Sequence, residues 1–385
     1  MTAVAAAAPP AALRSARLQF AALGMVAGTW GAHIPSVQQA HGLNAARLSL
    51  VLFAAALGCV ATLWFAGAAV ARFGIRRCAR VAALSMTSML ALALVVPGLA
   101  ALMLCALLLG AGMAMFDVCI NCEGAELERS GGRRVMSQLH GLWSVGAMTG
   151  ALAAAALFAA GVAPRIQLGA LALTIGATLL VATRSMPGVI TQGDAAAPRR
   201  TWPTPALWLI GALVFAGMTA EGAMHDWTVL YLAQERHLAP SPAAIGYAVF
   251  SVAMALARFA GDALRERVGD TRLIVAGALL AASSMTLVLI APALALAFAG
   301  LALVGAGVAP IAPILYNAAA RRGGTQPAAA IAAVTAIGYG GLMLGPPLVG
   351  VIAQSASLTL ALAVAVIGPA LALAVGARLL ERHIG

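Results

Sequence analysis

Twelve apolar runs, each 18–26 residues long and set apart by charged or turn-forming residues, dominate this 385-residue chain. A helix needs about 20 apolar residues to cross the roughly 30 Å hydrocarbon core of a bilayer. Inside that core, helices and closed barrels alone satisfy their backbone polar groups. The runs fall near residues 15–34, 47–70, 80–97, 99–122, 136–159, 166–184, 206–231, 243–264, 272–291, 294–318, 328–352 and 356–378. Barrel strands would be about 10 residues of alternating polarity, so run length selects an all-α integral membrane fold. Composition agrees: 62% of residues are hydrophobic and 9% charged, where a soluble domain carries about 25% charge.

All 23 basic residues are arginine. Without lysine there is no Walker A loop and no retinal or pyridoxal Schiff base, so those chemistries are excluded. The net charge of +11 raises the question of nucleic acid, but the placement of the arginines answers it. Nineteen lie on one face of the expected topology: Arg14, Arg17, Arg72, Arg76, Arg77, Arg80, Arg129, Arg133, Arg134, Arg184, Arg199, Arg200, Arg265, Arg267, Arg272, Arg321, Arg322, Arg378 and Arg382. Arg47, Arg165 and Arg236 lie on the other, and Arg258 falls within a run. That asymmetry predicts both termini on the cytoplasmic side and no nucleic-acid partner. The five cysteines form no disulfide framework, and Cys119-Ile-Asn-Cys122 sits on a membrane run, outside any redox or metal setting.

The Pro-rich stretch 186–205 divides the runs six and six. This gives a short tail (1–13), an N-terminal six-helix bundle (14–185), a cytoplasmic linker (186–205) and a C-terminal six-helix bundle (206–385). A shift of 195 residues aligns Gly110-Ala-Gly112 with Gly305-Ala-Gly307 and Gly146-x3-Gly150 with Gly341-x3-Gly345. It also places Arg72-Phe-Gly74 on Arg267-Val-Gly269. One register across three segments predicts an internal repeat, its two copies inserted in the same direction.

Gly67-Ala-Ala-Val-Ala-Arg72-Phe-Gly74-Ile-Arg76-Arg77 resembles the loop signature of the major facilitator superfamily, and Arg265-Glu266-Arg267-Val-Gly269-Asp-Thr-Arg272 resembles its second copy. The first copy carries Ala71 where the family has an acidic residue. Phe116-Asp117-x3-Asn121-x-Glu123 and Met136-Ser-Gln-Leu-His140-Gly-Leu-Trp-Ser144-x-Gly146 are similar to the fucose-permease-like branch of bacterial inner-membrane permeases. The resemblance implies two pseudo-symmetric bundles with every third helix turned to lipid, and cytoplasmic gating by Arg72, Arg76, Arg77, Arg258, Asp262, Glu266 and Arg267. Independently, the third, sixth, ninth and twelfth runs hold no charge in their apolar cores.

Ionisable groups at bilayer depth cost about 2.5–3.5 kcal/mol on insertion scales and therefore mark function or tight partnership. Asp117 and Asn121 share a helix face, and His140 enters the next run at similar depth. A carboxyl and an imidazole so placed can pass a proton as the wet side changes; the alternative is a static interhelical lock. Glu221 reads as a lone carboxylate just past the midplane and a third proton-coupling residue. Glu221 and His225 have the spacing of a metal pair but lack a third ligand, so no metal or cofactor is expected. Trp30, His33, Asn121, Trp143, Tyr247, Tyr316, Asn317 and Tyr339 supply stacking and hydrogen bonds for a sugar-like solute. Trp227 reads as an interfacial anchor.

These features predict a monomeric, proton-coupled secondary transporter of a small organic solute in a bacterial inner membrane, with no enzymatic activity. Proton-driven drug efflux is the second reading. A membrane sensor that binds solute without moving it is the third.

Overall fold

The computed structural model describes residues 10–131, 135–186, 204–322 and 327–382. Its helices, in order, are α1 (Pro10–Ala40), α2 (Ala45–Phe73), α3 (Ile75–Leu92), α4 (Gly98–Gly131), α5 (Met136–Ala159), α6 (Pro164–Ala182), α7 (Pro205–Gln234), α8 (Pro240–Val268), α9 (Asp270–Ile290), α10 (Leu294–Val308), α11 (Ile311–Arg322), α12 (Pro327–Ser355), α13 (Leu358–Leu362) and α14 (Gly368–Arg382). No strand occurs among the described residues.

Two pairs of these helices are single rods. α10 and α11 form one 29-residue span, Leu294–Arg322, interrupted at Ala309 and Pro310, where proline removes a donor and crowds the preceding turn. A π-helical turn, Ala363–Ile367, joins α13 to α14 just before Pro369. Twelve rods result, matching the twelve apolar runs. Ten are long and apolar enough to cross a membrane. The other two, α1 and α3, carry polar residues at their ends: Arg14 and Arg17 in α1, and Arg76, Arg77 and Arg80 in α3. α3 begins at Ile75 rather than near residue 80, because its arginines ride inside the first turns of the helix.

Contacts gather the chain into two compact units. One comprises Met1–Leu43, Leu50–Gln192 and Leu238–Ala248; the other comprises Asn44–Ser49, Gly193–His237 and Val249–Gly385.

The internal repeat is visible in backbone geometry. Gly74 (φ 82°, ψ 148°) and Gly269 (φ 85°, ψ 156°), 195 residues apart, break α2 from α3 and α8 from α9 in the same left-handed conformation. The same shift relates Gly42 (φ 57°) to His237 (φ 51°), a position where a side chain tolerates the strain glycine avoids. Packing repeats as well. A methyl group on Gly110 would run into the carbonyl of Ala55, and one on Gly305 into the carbonyl of Phe250. Gly112 lies against Ala82 and Met86, and Gly307 against Gly277 and Ala281. Each partner has moved by 195 along with its glycine.

One helix pair breaks that register. Gly146 of α5 packs on the carbonyl of Ala21 in α1, while Gly341 of α12 packs on that of Phe215 in α7. Likewise Gly150 meets Met25, and Gly345 meets Thr219. Here the partners are 194 apart.

In the first unit, α1 and α5 interlock closely. Gly24 and Gly28 admit the carbonyls of Trp143 and Ala147, just as Gly146 admits that of Ala21. Small residues at such spacing let backbones touch, the main means of helix association where lipid removes the hydrophobic drive.

Candidate functional site

In the first unit, α4 and α5 carry the expected polar cluster. Asn121 lies one turn from Asp117, and its Nδ2 donates to the Asp117 carbonyl at 2.9 Å. Its Oδ1 is 3.1 Å from His140 Nε2, and Phe20 of α1 packs edge-on against the imidazole at 5.3 Å. Asn121 thus bonds to the imidazole on one side and to the Asp117 main chain on the other, and its amide also neighbours the Asp117 carboxyl. Cys59 of α2 lies beside Asp117.

Arg76 of the first loop signature and Arg80 of α3 reach the end of α6. Arg76 donates to the Met186 carbonyl through Nε (2.8 Å) and also through Nη2. Arg80 Nε reaches Thr183 Oγ1 at 3.4 Å. With Ala71 in the acidic position, Arg76 satisfies a carbonyl orphaned at a helix end, which a guanidinium suits both as donor and as charge. Arg72 lies over the Phe73 ring at 5.4 Å, and Arg77 is exposed. Arg133 and Arg134 fall outside the described residues.

In the second unit, Glu221 is not a lone carboxylate. Arg258 of α8 donates from Nη2 to Glu221 Oε1 at 3.0 Å, and His225 Nε2 is 3.7 Å from the same oxygen. Sequence distance hid this partnership, because Arg258 arrives from the neighbouring helix rather than from an adjacent turn. Arg258, expected at a gate, thus belongs to the Glu221 cluster; the side chain of Asp262 lies outside the described residues. Tyr316 of α11 is near Glu221 and beside Thr335 of α12, so four helices contribute to this cluster.

Where the C-terminal ends of α8 and α11 meet the N-terminal end of α9, Asp270 joins two arginines. Arg265 Nε approaches Oδ1 at 3.0 Å and Arg321 Nη2 approaches Oδ2 at 3.0 Å. Sequence reasoning chose Glu266 for the acidic role. Glu266 and Arg267 are exposed and make no ion pair among the described residues. Asp270 heads α9 immediately after left-handed Gly269, and that turn carries its carboxylate back to Arg265.

The expected solute-binding side chains differ in availability. His33 is fully buried, with Nδ1 2.8 Å from the Thr29 carbonyl and Nε2 3.2 Å from Gln167 Oε1. It bonds α1 to α6 as an internal tie. Trp30 and Tyr247 are buried in the first unit, while Trp143 is half-buried there. In the second unit, Tyr316 and Tyr339 are half-buried and Asn317 is exposed. Trp227 is fully buried and no interfacial anchor; its indole N–H has no acceptor among the described residues. No group of three metal-ligating side chains occurs among the described residues. Sequence reasoning missed Glu123 as a site residue, although its motif was legible. Glu123 is 1% exposed on α4.

The family model described as Major Facilitator Superfamily matches residues 18–323. The chain belongs to the major facilitator superfamily. Among relatives, it is 32% identical over 348 residues to an uncharacterized MFS-type transporter of Yersinia pestis, covering 90% of each chain. It is 30% identical to membrane protein MosC of Rhizobium meliloti, covering 89% of this chain and 84% of that one. Solved superfamily structures share the fold at low identity. A mutant form of nucleoside transporter NupG superposes with a TM-score of 0.77 at 13% identity, over 95% of this chain and 99% of that one. A bacterial homolog to the human lysosomal transporter Spinster, inward-facing and occupied, gives a TM-score of 0.74 at 14% identity, over 96% of each. The protein is thus a superfamily transporter with twelve membrane helices in two pseudo-symmetric bundles.

Proposed function

We propose that this transporter couples the movement of a small polar organic solute, sugar-like in its hydrogen-bonding surface, to proton movement by alternating access. The observation that carries this reading is the Glu221–Arg258 contact at 3.0 Å, an ion pair within membrane helices. Such a pair persists while both partners are charged, because an unpaired charge at that depth is costly. A proton on Glu221 cancels the attraction and frees the Arg258 guanidinium for a solute oxygen. Loss of that proton restores the pair and expels the solute. The Asp117–Asn121–His140 chain offers a second place for a proton to reside, on a different pair of helices. Within the second unit, half-buried Tyr316 and Tyr339 supply aromatic surfaces of the kind sugar-like rings stack on.

In this reading both termini face the cytoplasm of a bacterium, the protein acts as a monomer in the inner membrane, and proton and solute travel together. Uptake into proteoliposomes with an imposed pH gradient, across a panel of sugars, sugar acids and nucleosides, tests it. Expected is gradient-driven accumulation that is lost in the Asp117→Asn/Glu221→Gln double variant. Flux indifferent to the gradient would overturn coupling. Reporter fusions to each terminus test the orientation.

A further inference from the structure

Glu123 lies six residues beyond Asp117 on α4, and both of its carboxylate oxygens are buried with no hydrogen-bond donor among the described residues. The side chain facing it is Gln19 of α1, itself fully buried. Gln19 Nε2 donates to Ser15 Oγ at 3.2 Å and to the Ala182 carbonyl at 3.3 Å. Its Oε1 is buried and has no donor either. Buried acceptors left without donors are costly.

Turning the amide over does not relieve this. Oε1 would then point at the Ala182 carbonyl and at Ser15 Oγ, whose hydrogen already goes to Ala182 at 2.5 Å. The cations of the surrounding helices make their hydrogen bonds elsewhere, and Arg17 Nε is buried without an acceptor among the described residues. On α1, Arg17 turns its Nη2 to Gln138 Oε1 at 3.0 Å. Arg76 and Arg80 of α3 serve the end of α6, and His140 of α5 is bonded to Asn121. α5 otherwise brings Met136 and Leu139 against the adjacent Gly124. On α4 itself the ionisable groups within a turn are Cys119 and Cys122, and Glu126, which is paired with Arg129.

A proton carried on Glu123 removes the buried charge and gives the carboxyl a hydrogen that the neighbouring Gln19 Oε1 can accept. We propose that Glu123 is a proton-binding site distinct from the Asp117 and Glu221 clusters, occupied in this conformation and closed by Gln19. Separation of the inner ends of α1 and α4 would admit water to the carboxyl and release the proton, tying protonation to helix packing in the first unit. The inference does not rest on the transport reading, since occupancy of the site is measurable without a solute.

Infrared spectra of the purified full chain in lipid nanodiscs test it, as wild type minus Glu123→Gln. Expected at neutral pH is the C=O stretch of a protonated carboxyl in wild type that is missing from Glu123→Gln. In Gln19→Leu, which removes the acceptor, the same band should move to higher frequency. A carboxylate signal from Glu123 at neutral pH would overturn the proposal. If Glu123→Gln does not accumulate, the Gln19→Leu shift decides alone, and an unmoved band counts against the site.

Discussion

Glu221 and Arg258, 37 residues apart in sequence, share a 3.0 Å hydrogen bond between α7 and α8, with side chains 19% and 23% exposed. Removing one member of such a pair takes away the other's 3.0 Å partner at bilayer depth. Removing both takes away the mismatch.

Stability should follow that logic. Glu221→Gln and Arg258→Gln alone are each expected to destabilise by about 3–5 kcal/mol. The double variant should recover most of the loss. Thermal unfolding of the three variants in one detergent measures this; additive losses would show that the two groups act separately.

Transport should depend on Asn121 as a connector rather than as a solute contact. Asn121→Leu cuts the link between Asp117 and His140 without altering either. Proton-driven uptake is expected to fall roughly 100-fold, while solute counterflow at equal pH persists. Parallel loss of both activities would assign Asn121 to solute binding instead.

The matched glycines should fail alike. Gly110→Ala and Gly305→Ala each force a methyl group against a backbone carbonyl, at Ala55 and Phe250. Each is expected to cost about 1–3 kcal/mol by overpacking, read as a lower unfolding temperature. Gly67→Ala, where a methyl group meets nothing within 4 Å, should leave that temperature unchanged.

Asp270 makes a weaker prediction in energy but a specific one in salt dependence. Its partners Arg265 and Arg321 are 21% and 61% exposed, so Asp270→Asn should cost about 1 kcal/mol or less at low salt. The difference from wild type should vanish near 1 M salt, where the screening length is about 3 Å. Melting curves across ionic strength check it.

The fold was legible because its signals are local. Run length and the 195-residue register each reside in contiguous stretches, and the structure repeats that register down to the left-handed glycines. The site was legible only where its partners share a helix. Asp117 and Asn121 at one-turn spacing were found, whereas the reach of Arg258 to Glu221 and of Gln19 to Glu123 crosses between helices. No periodicity records such a crossing. Asp270 was passed over for Glu266 because sequence order does not show how left-handed Gly269 redirects the chain. His33 was given to the solute because a histidine near a helix end looks available until its partner, Gln167 of α6, is in view.

The register change between the copies has a genealogical reading. Contacts of α7 follow a spacing of 194 as far as Thr219, and the spacing returns to 195 by His237. If the halves descend from a duplicated ancestor, one residue was gained or lost between those points. The interval holds Glu221, His225 and Asp226. A single-residue indel turns the helix beyond it by about 100° relative to its twin. Any residue beyond that point faces a direction its twin in the first copy does not, and an event that small would suffice to let two inherited halves take unequal roles.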